Sequence, residues 1–440
     1  MVNLFSGIAP GRLDVMGGIS DYSGALVLQM PLRECTQAEL AHTEHMTLTI
    51  QSQHEGLDLG SFKIGLEEFL ELLKNEMVFR ETIHSKPNGN WAVYPAACLA
   101  VLVREKGYPL TRGISLKIRS TVPLGKGVSS SAAIEIATLR AFASSVGMEF
   151  NGTELAILAQ KAENAFVGAP CGLMDQLASA YGKSGCLLPI LCQPDLLDTP
   201  LTIPSGIRFF GLDSGVKHQV TGASYGQVRT AAAMGYSILA QNNGVSVSSL
   251  SKARSSGKRN DLPYKGYLAN IPASVFSDKY HSLLPEVLTG MEFVEQFGET
   301  ADPYAEIDPN VIYQVRACAQ HPVEEHFRTR SFRQYLKVLA QSAHPEKETE
   351  TLSLMGEAMF QSHASYGKVG LGHPRTDALV EEAQLQLGKG IFGAKITGGG
   401  SGGTVCFLTA GERGKESIRR IHKAIQEKYG ALALIDPNLD

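Results

Sequence analysis

The sequence predicts an α+β protein built from two domains. Short period-two apolar runs alternate with helical patterns in the first part of the chain. Long helical stretches dominate after about residue 205, and the chain closes on a strand, a glycine loop and a second strand. At 440 residues, both domains can bury ample cores, and the boundary is placed between residues 1–205 and 206–440.

Early in the chain, "MTLTIQSQ" (Met46–Gln53) and "GISLKIRS" (Gly113–Ser120) alternate apolar and polar residues and read as strands. "NWAVYPAACLAVLVREKG" (Asn90–Gly107) reads as a helix stopped by glycine. "SSAAIEIATLRAFASSVG" (Ser130–Gly147) is Ala-rich, opens on serines and ends on Gly147, so a long, largely buried helix is expected. "GTELAILAQKAENAFVG" (Gly152–Gly168) is another helix, and "GIRFFGLDSG" (Gly206–Gly215) is strand-like. The Ser-rich, basic stretch "SVSSLSKARSSGKRND" (Ser246–Asp261) reads as a mobile surface loop. Helical patterns return over Thr351–Gly367 and Thr376–Gly388, before the closing "GAKITGGGSGGTVCFLTAG" (Gly393–Gly411).

Composition narrows the function classes. A net charge of −4 supplies no field to attract nucleic acid or an acidic membrane. No stretch approaches the roughly 20 apolar residues of a membrane helix, and no signal-peptide pattern opens the sequence. The seven cysteines are scattered, with no CxxC pair, which argues against a disulfide scaffold and a zinc site. Reduced thiols and a cytoplasmic location are the expectation, with no nucleic-acid or membrane partner and a monomer or weak homo-oligomer.

Three glycine-bearing stretches carry the chemistry. In "VPLGKGVSSSAAIE" (Val122–Glu135), Gly125 and Gly127 let the backbone bend toward a ligand. The serines Ser129, Ser130 and Ser131 then enter a helix whose free N–H groups and dipole suit an anion, and Lys126 adds charge beside it. The P-loop pattern GxxxxGK[ST] is absent. "TGGGSGGTVCF" contains a formal GxGxxG, but its glycines lead into a strand-like "TVCFL" rather than a helix, so the dinucleotide reading is rejected. "AENAFVGAPCGLMDQLASAYG" places Glu163 and Asp175 around a Pro-Cys-Gly turn.

Together with "APGRLDVMGGISDYSG" (Ala9–Gly24), these motifs, in this order, resemble the GHMP kinases and, within them, the galactokinase branch. "NWAVYP" looks like that branch's Trp-Ala segment. "DSGVKHQVTGASYGQVR" looks like its strand and loop carrying a sugar-binding tyrosine. The resemblance implies a GHMP kinase fold, with an N-terminal domain like ribosomal protein S5 domain 2 and a ferredoxin-like C-terminal domain. ATP and a monosaccharide would meet between the two. It implies that the backbone from Gly125 to Ser131, Lys126 included, wraps the ATP phosphates, that Trp91 lies beside the adenine, and that Ser131 and Glu163 ligate Mg²⁺. Asp175 would take the proton of the anomeric hydroxyl, with Arg12 steadying it and the developing charge. Asp21, Gly18, Ile19, Gly172 and Tyr225 would border the sugar.

One departure bears on the substrate. Galactokinases carry Glu-His where this chain has Gly18-Ile19, and that pair lies at the C6 hydroxymethyl end of the sugar. L-Arabinopyranose has the ring stereochemistry of galactose without that group. The stretch "APGRLDVMGGISDYSGALVLQMP" also resembles the kinase part of plant-type L-arabinokinases, whose chains carry an extra N-terminal region. Phosphorylation of L-arabinose at its anomeric hydroxyl is therefore the expectation. D-Galactose or a 6-deoxy relative is the alternative, and a non-catalytic sugar sensor a further one.

Overall fold

The structure, a computed structural model, describes residues 3–169, 171–193, 196–216 and 223–438, with the side chains of Ala223 and Ser224 left aside. It divides into two compact units. One comprises residues 1–12, 30–124 and 128–184, and the other residues 13–29, 125–127 and 185–440. The boundary read near residue 205 thus falls within the second unit, which also takes in two short segments from the first half of the chain.

Two long strands, β1 (Phe5–Met16) and β2 (Leu26–Thr43), contribute residues to both units. The first unit continues with β3 (Thr47–His54), β4 (Leu57–Gly65), α1 (Leu66–Leu72), α2 (Glu76–Ser85), α3 (Gly89–Lys106), β5 (Gly113–Ser120), α4 (Ser130–Ser145), α5 (Gly152–Lys161) and α6 (Met174–Tyr181). Thr36–Thr43 of β2 pair antiparallel with β5, β5 lies parallel to β3, and β3 pairs antiparallel with β4. The period-two pattern buries Leu48 and Ile50 on β3, and Ile114, Leu116 and Ile118 on β5, against α3 and α4 residues such as Leu99 and Ile136. Gly107 ends α3 in the left-handed conformation at φ 66°. A capping box between Asn151 and Glu154 starts α5. The helix expected over Gly152–Gly168 changes character on the way: Ala162–Val167 is a single π-helical turn.

The second unit holds β6 (Cys186–Leu191), β7 (Leu196–Leu197), β8 (Leu201–Thr202), β9 (Ile207–Asp213), α7 (Ala223–Asn242), α8 (Val247–Ser256), α9 (Ala273–Val275), β10 (Leu288–Thr289), α10 (Gly290–Phe297), β11 (Ile312–Tyr313), α11 (Val315–Leu339), α12 (Thr349–Lys368), α13 (Pro374–Leu385), β12 (Ile391–Ile396), β13 (Thr404–Ala410), α14 (Gly411–Tyr429) and β14 (Leu434–Ile435). An antiparallel sheet in the order β12-β13-β9-β14 packs against α12, α13 and α14. On α14, Ile418, Ile421 and Ile425 form the buried stripe of an otherwise charged helix. The glycine loop 397–403 joins two antiparallel strands, in keeping with rejection of a dinucleotide fingerprint.

The stretch 246–261 corrects the loop expectation, because its core is α8. Ser246 caps the helix by accepting from the Ser249 N–H, Leu250 and Ala253 are buried one turn apart, and Gly257 ends it at φ 69°. One of its serines acts as a cap and others face solvent on the helix. None of the seven cysteines, all of them among the described residues, forms a disulfide. No helix among the described residues is long and apolar enough to cross a membrane.

Candidate functional site

In the first unit, β1 delivers Arg12 and the first turn of α6 delivers Asp175. The guanidinium grips the carboxylate in a fork: Nε donates to Oδ1 at 2.9 Å and Nη2 to Oδ2 at 2.8 Å. Arg12 is 3% exposed while Asp175 keeps 28% of its side chain accessible, so the arginine is locked and the carboxylate stays reachable. The start of α6 also sets the positive end of the helix dipole beside Asp175.

Next to this pair is a buried carboxyl cluster. Glu163 sits on the π-helical turn, 3% exposed. Gln176, one residue beyond Asp175, donates its amide to Glu163 Oε2 at 2.7 Å and to Glu135 Oε2 at 3.3 Å. Ser131 and Cys171 also hydrogen-bond the Glu163 carboxyl. Burial, followed by the charge of Asp175, pushes Glu163 up to about 7. Glu135, fully buried, is raised well above the carboxylate range by burial and then by Glu163. Arg12 is engaged by Asp175, and Glu163 has no cationic partner among the described residues. A hard divalent cation bound by Glu163 and Ser131 would supply the missing positive charge, and oxygen donors are the ligands such an ion prefers.

The helix start beside it also fits an anion. Ser129, the N-cap of the 16-residue α4, sits at φ 59° and makes no side-chain cap bond. Its hydroxyl is buried without a partner among the described residues. A left-handed conformation at a residue other than glycine is strained backbone of the kind concentrated at ligand sites. Trp91 lies half-buried on α3 against the core of this unit, its indole N–H without an acceptor among the described residues. Ser130 opens α4, and Gly172 lies in the turn before α6.

The glycines before those serines belong to the second unit. Gly125 and Gly127 take positive φ, 67° and 71°. Lys126, expected to add charge beside the phosphates, instead pairs with the buried Asp213 at 2.8 Å, and its carbonyl accepts from the Thr404 hydroxyl at 2.8 Å. Its charge is thus neutralised by Asp213.

The "MGGISDYS" stretch of the second unit forms a 3₁₀ turn over Gly18–Ser23, every residue of it buried. Three successive N–H groups donate to buried side-chain oxygens: Gly17 to Glu325 Oε1 at 3.2 Å, Gly18 to Asp14 Oδ1 at 3.1 Å, and Ile19 to Tyr366 Oη at 3.0 Å. Asp14 also accepts from Gln29 at 2.7 Å and from Lys395 at 2.7 Å, and neither Asp14 nor Lys395 has exposed side-chain area. Ile19, 1% exposed, belongs to the core of this unit. Gly18 adopts φ 44°, and a Cβ there would fall 1.7 Å from Tyr366 Oη. Positions 18 and 19 are thus packed tightly against the core of this unit.

Asp21 is 7% exposed in the same turn. Tyr225 lies in the first turn of α7, its ring 6.1 Å from Tyr22 in an edge contact. Residues 217–222 of the segment expected to precede that tyrosine lie outside the described residues.

Several contributors escaped sequence reasoning. Glu135 lies four residues after Ser131, and that i+4 spacing on one helix was an available signal; Gln176, next to Asp175, left none. Asp14, Glu325, Tyr366 and Lys395 left none, because their roles come from long-range contacts.

Residues 93–183 match the family described as GHMP kinases N terminal domain, and residues 343–431 match GHMP kinases C terminal. The chain is 36% identical to an L-arabinokinase of Arabidopsis thaliana over 97% of its own length, and it spans 44% of that protein. It is 29% identical to a galactokinase of Chloroflexus aggregans, covering 93% of this chain and 85% of the relative. Among solved structures, Lactococcus lactis galactokinase complexed with galactose superposes with a TM-score of 0.73 at 19% identity, covering 99% of this chain and 93% of that one. L. major mevalonate kinase in complex with R-mevalonate gives 0.57 at 14% identity, covering 100% and 98%.

Proposed function

The chain belongs to the GHMP kinases, and on that premise we propose that it transfers the γ-phosphate of ATP to the anomeric hydroxyl of L-arabinose, giving L-arabinose 1-phosphate and ADP. The observation that carries the phosphotransferase reading is the forked Arg12–Asp175 pair with Asp175 still accessible. One carboxylate oxygen of Asp175 accepts the proton of the anomeric hydroxyl as that oxygen forms its bond to the γ-phosphorus. The bond from phosphorus to the ADP oxygen breaks, and ADP leaves with its electron pair. Arg12 holds Asp175 in orientation through the step, which needs alignment and charge stabilisation more than covalent chemistry. Ser131 and Glu163 would hold a magnesium ion, which neutralises phosphate charge when bound. The backbone of Gly125–Ser131 and the start of α4 would receive the phosphates, Trp91 the adenine, and Asp21, Gly172 and Tyr225 the sugar.

The choice of sugar rests on positions 18 and 19. Neither side chain offers a hydrogen bond, and Gly18 has no room for one that does. A galactose O6 desolvated against this turn goes unpaired, at a cost of roughly 1–3 kcal/mol, or about 5- to 150-fold in kcat/KM. D-Galactose is the second reading, supported by the galactokinase relative. The deciding test is ADP release with L-arabinose, D-galactose, D-fucose and D-xylose. The highest kcat/KM is expected with L-arabinose. A wild type that prefers D-galactose would transfer the assignment to galactose, and no turnover of any sugar would reject the kinase reading.

A further inference from the structure

We propose that Tyr366 is a specificity-determining positioning residue: its hydroxyl occupies the place of a side chain at position 18 and sets the shape of the turn Gly17–Tyr22. The inference rests on the reading that this turn meets the sugar. Tyr366 lies near the end of α12, without exposed surface. Its Oη accepts the Ile19 N–H at 3.0 Å and donates to the Gly398 carbonyl at 2.7 Å. One phenol therefore joins two glycine-bearing segments, the turn and the closing loop 397–403. A Cβ on Gly18 would lie 1.7 Å from that oxygen and 2.9 Å from Cζ, so phenol and side chain exclude each other.

The ring has little freedom to yield. The His321 ring meets it edge-on at a centroid distance of 5.5 Å. A Cβ on Gly400 would come within 3.1 Å of its Cδ1, so the loop itself is shaped around the ring. Of the three side chains that hold the turn's successive N–H groups, Glu325 and Asp14 pair through their other carboxylate oxygen with Arg328 and Lys395. Tyr366 is the neutral one and the one that can be trimmed by a single atom. The apolar centre of "MGGIS" thus has its polar partner supplied from 347 residues further along the chain.

The variant Tyr366→Phe removes the hydroxyl and keeps the ring. It leaves the Ile19 N–H and the Gly398 carbonyl unpaired, and the turn loses one of its three anchors. Kinetics with the sugar that wild type uses best should show sugar KM raised about three- to tenfold, more than any change in kcat or in ATP KM. A separate unfolding measurement reads the exclusion itself. Gly18→Ala should lower the urea midpoint strongly in the wild-type background and less in the Tyr366→Phe background, because the oxygen it collides with is gone. A folded Tyr366→Phe enzyme with unchanged sugar KM, or equal midpoint losses in the two backgrounds, overturns the proposal while leaving the kinase reading intact. A wild type that phosphorylates no sugar overturns the kinase reading, and this proposal with it.

Discussion

Replacing Glu163 by glutamine should make stability less sensitive to alkali, and the size of the effect can be worked from the carboxyl's surroundings. Burial, and then the nearby Asp175, raise Glu163 from an ordinary 4.5 to about 7. A carboxyl with a raised folded-state pKa binds its proton more tightly in the folded chain. Its stabilising contribution is complete below the unfolded value, is lost as pH climbs from 4.5 toward 7, and changes no further above that. Each pK unit is worth about 1.4 kcal/mol, so ionising Glu163 costs the fold roughly 3 kcal/mol at pH 8, against under about 1 kcal/mol at pH 5. Glutamine does not titrate. Any hydrogen bonds it fails to make to Ser131 or Gln176 add an offset that does not vary with pH. Urea unfolding of both proteins at pH 5 and pH 8 should therefore show stability shifting in favour of Glu163→Gln by about 2–3 kcal/mol across that interval. The same variant should need more Mg²⁺ for turnover, because the anion that would hold the ion is gone. A stability difference that is flat in pH, or that moves against the mutant as pH rises, would refute a desolvated Glu163 awaiting a cation.

Other substitutions test the remaining parts of the site. Asp175→Asn should keep the fold and ATP binding while kcat drops roughly 10²- to 10⁴-fold, checked by ADP release and a nucleotide-binding titration. Arg12→Lys keeps the charge but cannot reproduce the two-pronged grip, so kcat should fall while the unfolding midpoint moves little; equal kinetics would deny the fork a role. Lys395→Met strands the fully buried Asp14, and a loss of about 3–5 kcal/mol should appear in urea unfolding.

Much of this protein was legible in its one-dimensional pattern. The strands β3 and β5 announced themselves by strict alternation, and α3, α4, α12 and α13 by helical periodicity with stop signals such as Gly107. These are local properties, determined by side chains a few residues apart. The motif residues were legible for a related reason: Arg12, Ser131, Glu163 and Asp175 lie in short stretches with distinctive glycines and turns, and the structure brings Ser131 to Glu163 and Arg12 to Asp175. The Ser-rich segment 246–261 is helical against its loop-like composition, because a serine signals a loop or a helix cap equally well. The burial of Leu250 and Ala253, which decides for the helix, depends on what packs above them.

Only the tertiary structure decided what surrounds the centre of "APGRLDVMGGISDYSG". Glu325, Tyr366 and Lys395 come from elements more than 300 residues away in sequence, and no local pattern marks them as neighbours of Gly17, Asp14 or Ile19. Likewise Lys126, which looks like a phosphate ligand beside its glycines, is directed to Asp213 by the fold. A motif names the chemistry a chain can carry out because reacting groups must lie in a short, well-shaped stretch. Which of its gaps are pockets and which are filled by another part of the chain depends on desolvation and close packing, and those exist only once distant segments have met.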